Sequence, residues 1–173
     1  MAIEMPAVAG HPNRTPFRGV LTLVDVVSDK APAGAKGHRV VLTRSAAETA
    51  LASLLGMALD YSPSLDRHDT RRKVGVITRA EIVGRQLTLG GYLFAKDCPE
   101  IVEQIGRGGS CQRILDSADP PRHACLAMSY EIADARVADT NAKVWTLTQV
   151  TFTGAAILRR DKAAYRETWI ELD

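Results

Sequence analysis

Lys73-Val-Gly-Val-Ile-Thr-Arg-Ala-Glu-Ile-Val83, followed after Gly84-Arg85 by Gln86-Leu-Thr-Leu-Gly-Gly-Tyr-Leu-Phe-Ala95, is the stretch from which the fold is read. Val74, Val76, Thr78, Ala80 and Ile82 alternate with Lys73, Gly75, Ile77, Arg79 and Glu81. A period of two puts one strand face on a core and the other in solvent. Val83-Gly84-Arg85-Gln86 then turns the chain into Leu87–Ala95, so the segment predicts an antiparallel hairpin.

Upstream, Phe17–Val27 carries the β-branched content of a strand, and Arg39–Thr43 reads as a short second one. Ser45-Ala46-Ala47-Glu48 fits a capping box, and Ala47, Leu51, Leu54 and Ala58 follow at helical spacing. Gly56 weakens the last turn of that helix, and Tyr61–Arg72 reads as a polar loop. Downstream, Pro99 opens a helix to Ile105, because proline suits a first helical turn. Gly106–Arg122 reads as a loop or excursion. Strands are expected near Cys125–Ala133, Val144–Thr153 and Glu167–Leu172, with Asp139-Thr140-Asn141 turning between the first two.

Strands without regular βαβ alternation predict an α+β fold: a small antiparallel β-barrel or sheet core with two or three packed helices. Residues 1–16 hold three prolines and no periodicity, and read as an extended N-terminal arm. Residues 17–173 then form a single domain.

The 173 residues include 22 Lys+Arg against 20 Asp+Glu, a net charge of +2 that gives no electrostatic case for nucleic acid. Arg71-Arg72-Lys73 and Arg159-Arg160 are short basic runs interrupted by acids, and read as solvated surface charge. With 46% apolar and 24% charged residues, general disorder is excluded. No run of about 18 apolar residues points to a membrane helix. Met1-Ala-Ile-Glu-Met-Pro lacks the blocks of a signal peptide, so the chain is expected in a cytoplasm, with its three cysteines reduced.

Three constellations could carry chemistry. Cys98, Cys111, His123 and Cys125 lie within 28 residues, but a helix separates the first two by about 12 Å or more, and the spacing matches no familiar zinc knuckle. Neither a metal nor a cofactor is therefore expected. Gly106-Arg107-Gly108-Gly109-Ser110 follows a helix and lacks the Lys-Ser/Thr of a phosphate loop. The third is His68, in the loop Asp66-Arg67-His68-Asp69-Thr70, with Ser129. Along Leu126–Ile132, alternation sends Leu126, Met128, Tyr130 and Ile132 to a core and Ala127, Ser129, Glu131 and Ala133 to the other face. That small-residue face leaves room for a substrate backbone.

The order of segments adds a resemblance. His68-Asp69, then Gly75-Val-Ile, a hairpin ending in Gly91-Tyr92-Leu93-Phe94, a short helix and Leu126-Ala-Met-Ser129-Tyr resemble the prohead maturation proteases of tailed phages. Leu147-Thr-Gln-Val-Thr-Phe-Thr-Gly-Ala-Ala156 is similar to that family's late strand, and the likeness spans about residues 17–160. It implies a fold similar to herpesvirus assemblins, with helices around a small barrel. It also implies that Ser129 is the nucleophile and His68 the general base, which takes the hydroxyl proton and returns it to the leaving amine. The position matching the family's orienting residue is Gln149, which could accept the imidazole N–H but offers no countercharge. Glu131, on the face of Ser129, is the alternative.

The resemblance implies a serine endopeptidase that cleaves scaffold and capsid protein inside the prohead, in the host cytoplasm. Its partners would be the major capsid protein and scaffold, with self-association, and no nucleic acid or membrane. A second reading is a non-catalytic virion structural protein, such as a head decoration or cement protein, on a protease-derived fold. The excursion Ser110–Ala124 would shape substrate access in the first case and dock on the capsid in the second.

Overall fold

The computed structural model describes residues 1–109, 111 and 125–173. In chain order it contains β1 (Thr15–Leu23), β2 (Arg39–Leu42), α1 (Arg44–Ala50), β3 (Ala58–Asp60), β4 (Lys73–Val83) and β5 (Gln86–Leu93). Then come α2 (Pro99–Arg107), β6 (Ala127–Val137), β7 (Val144–Leu158) and β8 (Trp169–Leu172).

The expected hairpin is β4–β5, antiparallel from Gly75↔Leu93 to Val83↔Gln86. Its buried face differs from strict alternation. A register shift between Ile77 and Arg79 leaves one extra residue on β4 and exchanges the faces beyond it. Ile77 and Ala80 are therefore fully buried, whereas Val76 and Thr78 are only half-buried.

From this hairpin the sheet extends in both directions. β5 pairs with β1 and β1 with β8, all antiparallel, while β4 pairs with β3 on its other edge. β7, 15 residues long, serves three partners. Its first residues pair in parallel with β2, from Arg39↔Val144 to Leu42↔Leu147. Its last pair in parallel with β3, Leu59↔Ala155 and Asp60↔Ala156. Its other edge pairs antiparallel with β6. The fold is thus α+β, with a curled mixed sheet shaped as a half-barrel. Two parallel pairings correct the all-antiparallel expectation. Between them α1 returns the chain to the same edge of β7, so that β2 and β3 run along it in the same direction.

The curl brings β8 back toward β6. Ile170 N–H donates to Leu126 O at 3.1 Å, and Met128 N–H to Thr168 Oγ1 at 3.3 Å. Phe17, Leu21, Leu59, Ile77, Leu89, Leu93, Met128 and Phe152 fill the concave side, all at most 2% exposed.

Several local expectations are corrected. Thr43, not Ser45, caps α1: its hydroxyl accepts from Ala46 N–H at 3.2 Å. The regular helix stops at Ala50 and tightens into a 3-10 turn, Leu51–Leu54, that buries Leu54 fully and Leu51 partly. Gly56 then takes φ of 82°, a left-handed conformation that glycine adopts at little cost. The chain leaves that turn as β3, so Ala58 belongs to a strand and not to a helix. Gly106 and Arg107 lie inside α2, which runs two residues further than Ile105.

Cys111 and Cys125 form a disulfide with Cα atoms 5.8 Å apart, which corrects the expectation of three free thiols. Cys98 alone is free. His123 and the excursion at 112–124, with Ser110, lie outside the described residues. In the arm, Ile3 N–H donates to Thr78 O and Ala80 N–H to Met1 O, so residues 1–3 lie along β4. No described helix is long and apolar enough to cross a membrane.

Candidate active site

Three strands set one row of residues side by side. Ser129 of β6 pairs with Ala156 of β7, and Ala156 pairs with Asp60 of β3. Paired residues on adjacent strands present their side chains on the same face. One step along, Glu131 pairs with Gly154. The missing side chain at Gly154 matters here. A Cβ built there would lie 2.8 Å from Glu131 Oε2 and 3.0 Å from the Ala58 carbonyl oxygen. The Glu131 carboxylate therefore crosses over the bare backbone of β7 toward β3, where Asp60 sits.

His68 reaches this row from the β3–β4 loop, which its own polar groups hold in shape. Ser62 and Ser64 hydroxyls donate to Asp66, and Arg159 N–H donates to the Leu65 carbonyl at 2.8 Å. Leu65 anchors the loop in the core at 5% exposure. Asp69 N–H donates to Asp60 Oδ1 at 3.1 Å, which pins the residue next to His68 onto β3. The imidazole is then fixed by Glu131, with His68 Nδ1 to Glu131 Oε1 at 3.0 Å. Their side chains are 27% and 13% exposed, so solvent screens this contact only partly.

Electrostatics separate the two carboxylates. Burial, and then the neighbouring Glu131 carboxylate, push Asp60 up to about 7. Burial acts on Glu131 in the same direction, but hydrogen bonding to His68 and Asp60 and the positive charges of His68 and Lys73 outweigh it and hold Glu131 at about 2. Asp60 is fully buried, and among the described residues its Oδ2 has no partner other than the Glu131 carboxylate that faces it. Two acids in contact whose affinities for a proton are driven apart mark a functional site.

His68, Glu131 and Ser129 line one cavity of about 460 Å3. Its lining is mainly apolar and includes Leu21, Val40, Trp145, Leu147, Tyr130 and Ile132. Tyr165 also lines it, held by a 2.9 Å hydrogen bond from its hydroxyl to Val26 O. An apolar cleft with a few convergent polar groups is the usual form of a small-ligand or peptide-side-chain site.

Of the residues expected from sequence, His68 and Ser129 both line this cavity with no hydrogen bond between them, and Glu131 makes the contact that orients the imidazole. Gln149 is elsewhere. It lies on the exposed part of β7 opposite Arg136, five residues from Gly154 and thus roughly 17 Å along the strand from the Glu131 position. Sequence reasoning missed Asp60, because β3 is only three residues long and follows a helical pattern without a polar break. One signal was available. Gly154-Ala155-Ala156 inside a strand marks a close approach, and a long side chain from the neighbouring strand supplies it.

No protein-family model matches the chain, and no curated protein matches it.

Proposed function

We propose that the protein is a serine endopeptidase in which Ser129 is the nucleophile, His68 the general base and Glu131 the group that orients and charge-balances the imidazole. The observation that carries this reading is the 3.0 Å contact between His68 Nδ1 and Glu131 Oε1 at the cavity that Ser129 lines. With Nδ1–H donated to Glu131, the lone pair of Nε2 is free to take the Ser129 hydroxyl proton as the hydroxyl attacks a carbonyl. The imidazolium so formed lies against a carboxylate held at about 2, which stays ionised throughout the working range. His68 then protonates the leaving amine, and water releases the acyl group by the reverse path. The apolar cavity suits a substrate with a large apolar side chain near the cleaved bond.

The resemblance to prohead maturation proteases narrows the substrate to scaffold and capsid protein inside a phage prohead. A head decoration or cement protein is the second reading. It is favoured by the arm, whose Met1, Ile3, Met5 and Val8 are all at least 40% exposed, an apolar edge suited to a neighbouring subunit. A fluorophosphonate probe on purified protein separates the two. The peptidase labels at one site and Ser129→Ala abolishes labelling, whereas absent labelling in the wild type supports the structural protein. Coexpression with the capsid protein gives the second readout: cleavage with the wild type, and full-length capsid protein with Ser129→Ala.

A further inference from the structure

We propose that Asp60, His68 and Glu131 together form a site for a divalent transition-metal ion, and that the bound ion switches off His68 as a base. The second half rests on the peptidase reading; the site itself does not.

The geometry is that of an open three-ligand centre. One ligand atom from each residue lies within 4.8 Å of the others, and the carboxylates come from strands on either side of β7. Bonds of about 2.0–2.2 Å to one ion require ligand atoms roughly 3–3.6 Å apart. The His68–Glu131 pair already stands at 3.0 Å. Rotation of Glu131, which approaches over the open space at Gly154, closes the rest.

A second observation points to a cation. Asp60 is fully buried, its Oδ1 is taken by Asp69 N–H, and among the described residues its Oδ2 has no donor and faces only the Glu131 carboxylate. Two largely buried carboxylates in contact need either a shared proton or a cation between them, and a divalent ion supplies the second. The Asp69 N–H is also the kind of outer contact that fixes a carboxylate ligand in orientation. One imidazole nitrogen and two carboxylate oxygens suit Zn2+ or Mn2+. Ca2+ and Mg2+ take all-oxygen sets, and soft ions take thiolates. The free thiol, Cys98, stands just before α2 and is not one of the three. Two carboxylates balance a dication, and the cavity side leaves a position for water or a substrate oxygen.

The consequence for His68 follows from its tautomers. In the hydrogen-bonded state Nδ1 carries the proton and Nε2 the lone pair. A metal on Nδ1 takes the lone pair there, and the imidazole proton moves to Nε2. No lone pair then remains to accept the Ser129 hydroxyl proton. The ion and the substrate reaction are mutually exclusive at one side chain.

The test uses full-length protein stripped with a chelator and titrated with Zn2+ alone in a calorimeter. One ion per chain is expected, with affinity reduced roughly tenfold or more by Asp60→Asn and by His68→Ala. His68→Ala alters a loop side chain and keeps the test valid if Asp60→Asn does not fold. Cys98→Ser should bind as the wild type does. The site is overturned by absent binding, by unchanged affinity in both ligand variants, or by loss of binding in Cys98→Ser, which would assign the ion to the thiol. Fluorophosphonate labelling gives the regulatory half: saturating Zn2+ should slow it at least tenfold and chelator should restore it. Labelling at an unchanged rate with the ion bound overturns the switch. No labelling even in chelator removes the peptidase reading, while the calorimetry still decides the site.

Discussion

The two ends of the β6–β7 ribbon are made of the same two strands and behave as different structures. At the inner end, Ala127–Glu131 pairs with Gly154–Leu158, and Ala127, Met128, Ala155 and Ile157 are at most 1% exposed. At the outer end, Ala133–Val137 faces Leu147–Thr151 through two register shifts, with Ala133, Arg136 and Gln149 in solvent. What differs is the third strand. The inner end has β3 on the far side of β7 and the His68 loop above it. Among the described residues the outer end has only β2, which stops at Leu42. A polar residue becomes part of a site only where a third element closes over it. That is why Glu131 is a candidate for catalysis and Gln149 is not.

This contrast can be broken most sharply at its two polar residues. Glu131→Gln should cut the Ser129 labelling rate by roughly 10²–10⁴-fold, because the imidazolium loses its countercharge. Gln149→Ala should stay within about twofold, as surface substitutions do. A large loss at Gln149 with none at Glu131 would reverse the comparison.

Core packing gives the next effect. Leu59, fully buried on β3 beneath the inner end, should lose about 2–5 kcal/mol of unfolding free energy on change to Ala. Arg136→Ala at the outer end should stay within about 0.5 kcal/mol. Urea midpoints with unchanged slopes would check both.

The pH dependence of stability sharpens the picture further. With chelator present, Glu131, held at about 2, contributes stability that is present above its ordinary value of 4.5 and lost as pH falls toward 2. Asp60 has the opposite sign. Its pKa is raised from 3.8 to about 7, so the folded state keeps a proton that the unfolded state has released, and stability falls as pH rises through 4 to 7. Asp60→Asn cannot titrate, and should remove that fall, a difference of about 2–4 kcal/mol by pH 8. Denaturation curves of the two proteins that run parallel from pH 4 to 8 would contradict the assignment.

The smallest expected effect is at Gly154. Alanine there forces the Glu131 carboxylate aside, and because its far end is flexible the fold gives way locally. Labelling should slow roughly tenfold for a stability loss of about 1–3 kcal/mol. Gly84→Ala, in the β4–β5 turn far from the site, is the control for labelling: it takes a strained positive φ of 60° but leaves the rate unchanged.

Much of this was open to reading along the chain. The β4–β5 hairpin, β1, β2, α2 and the β6–β7 pair announce themselves by alternation, turn residues and a proline at a helix start, because those signals are local and strong. The alternation in Leu126–Ile132 also separates the buried Met128 from Ser129 and Glu131, which is how those two residues are legible as a pair on one face. The half-barrel, the parallel partners of β7 and the bulge that buries Ile77 in place of Val76 have no local signature. They depend on which strands meet and in what register.

His68 and Ser129, 61 positions apart, and Asp60 with Glu131, 71 apart, show the division most clearly. Amino-acid type and strand period determined which residues could do chemistry, since side-chain direction in a strand is set by backbone geometry two residues at a time. Which of the candidates meet was decided by β3, three residues that no propensity distinguishes from a helix end. They become a strand because Gly56 turns the chain and β4 and β7 offer open edges on either side. That pairing places Asp60 opposite Ala156 and leaves Gln149 in solvent, and only the folded sheet contains that information.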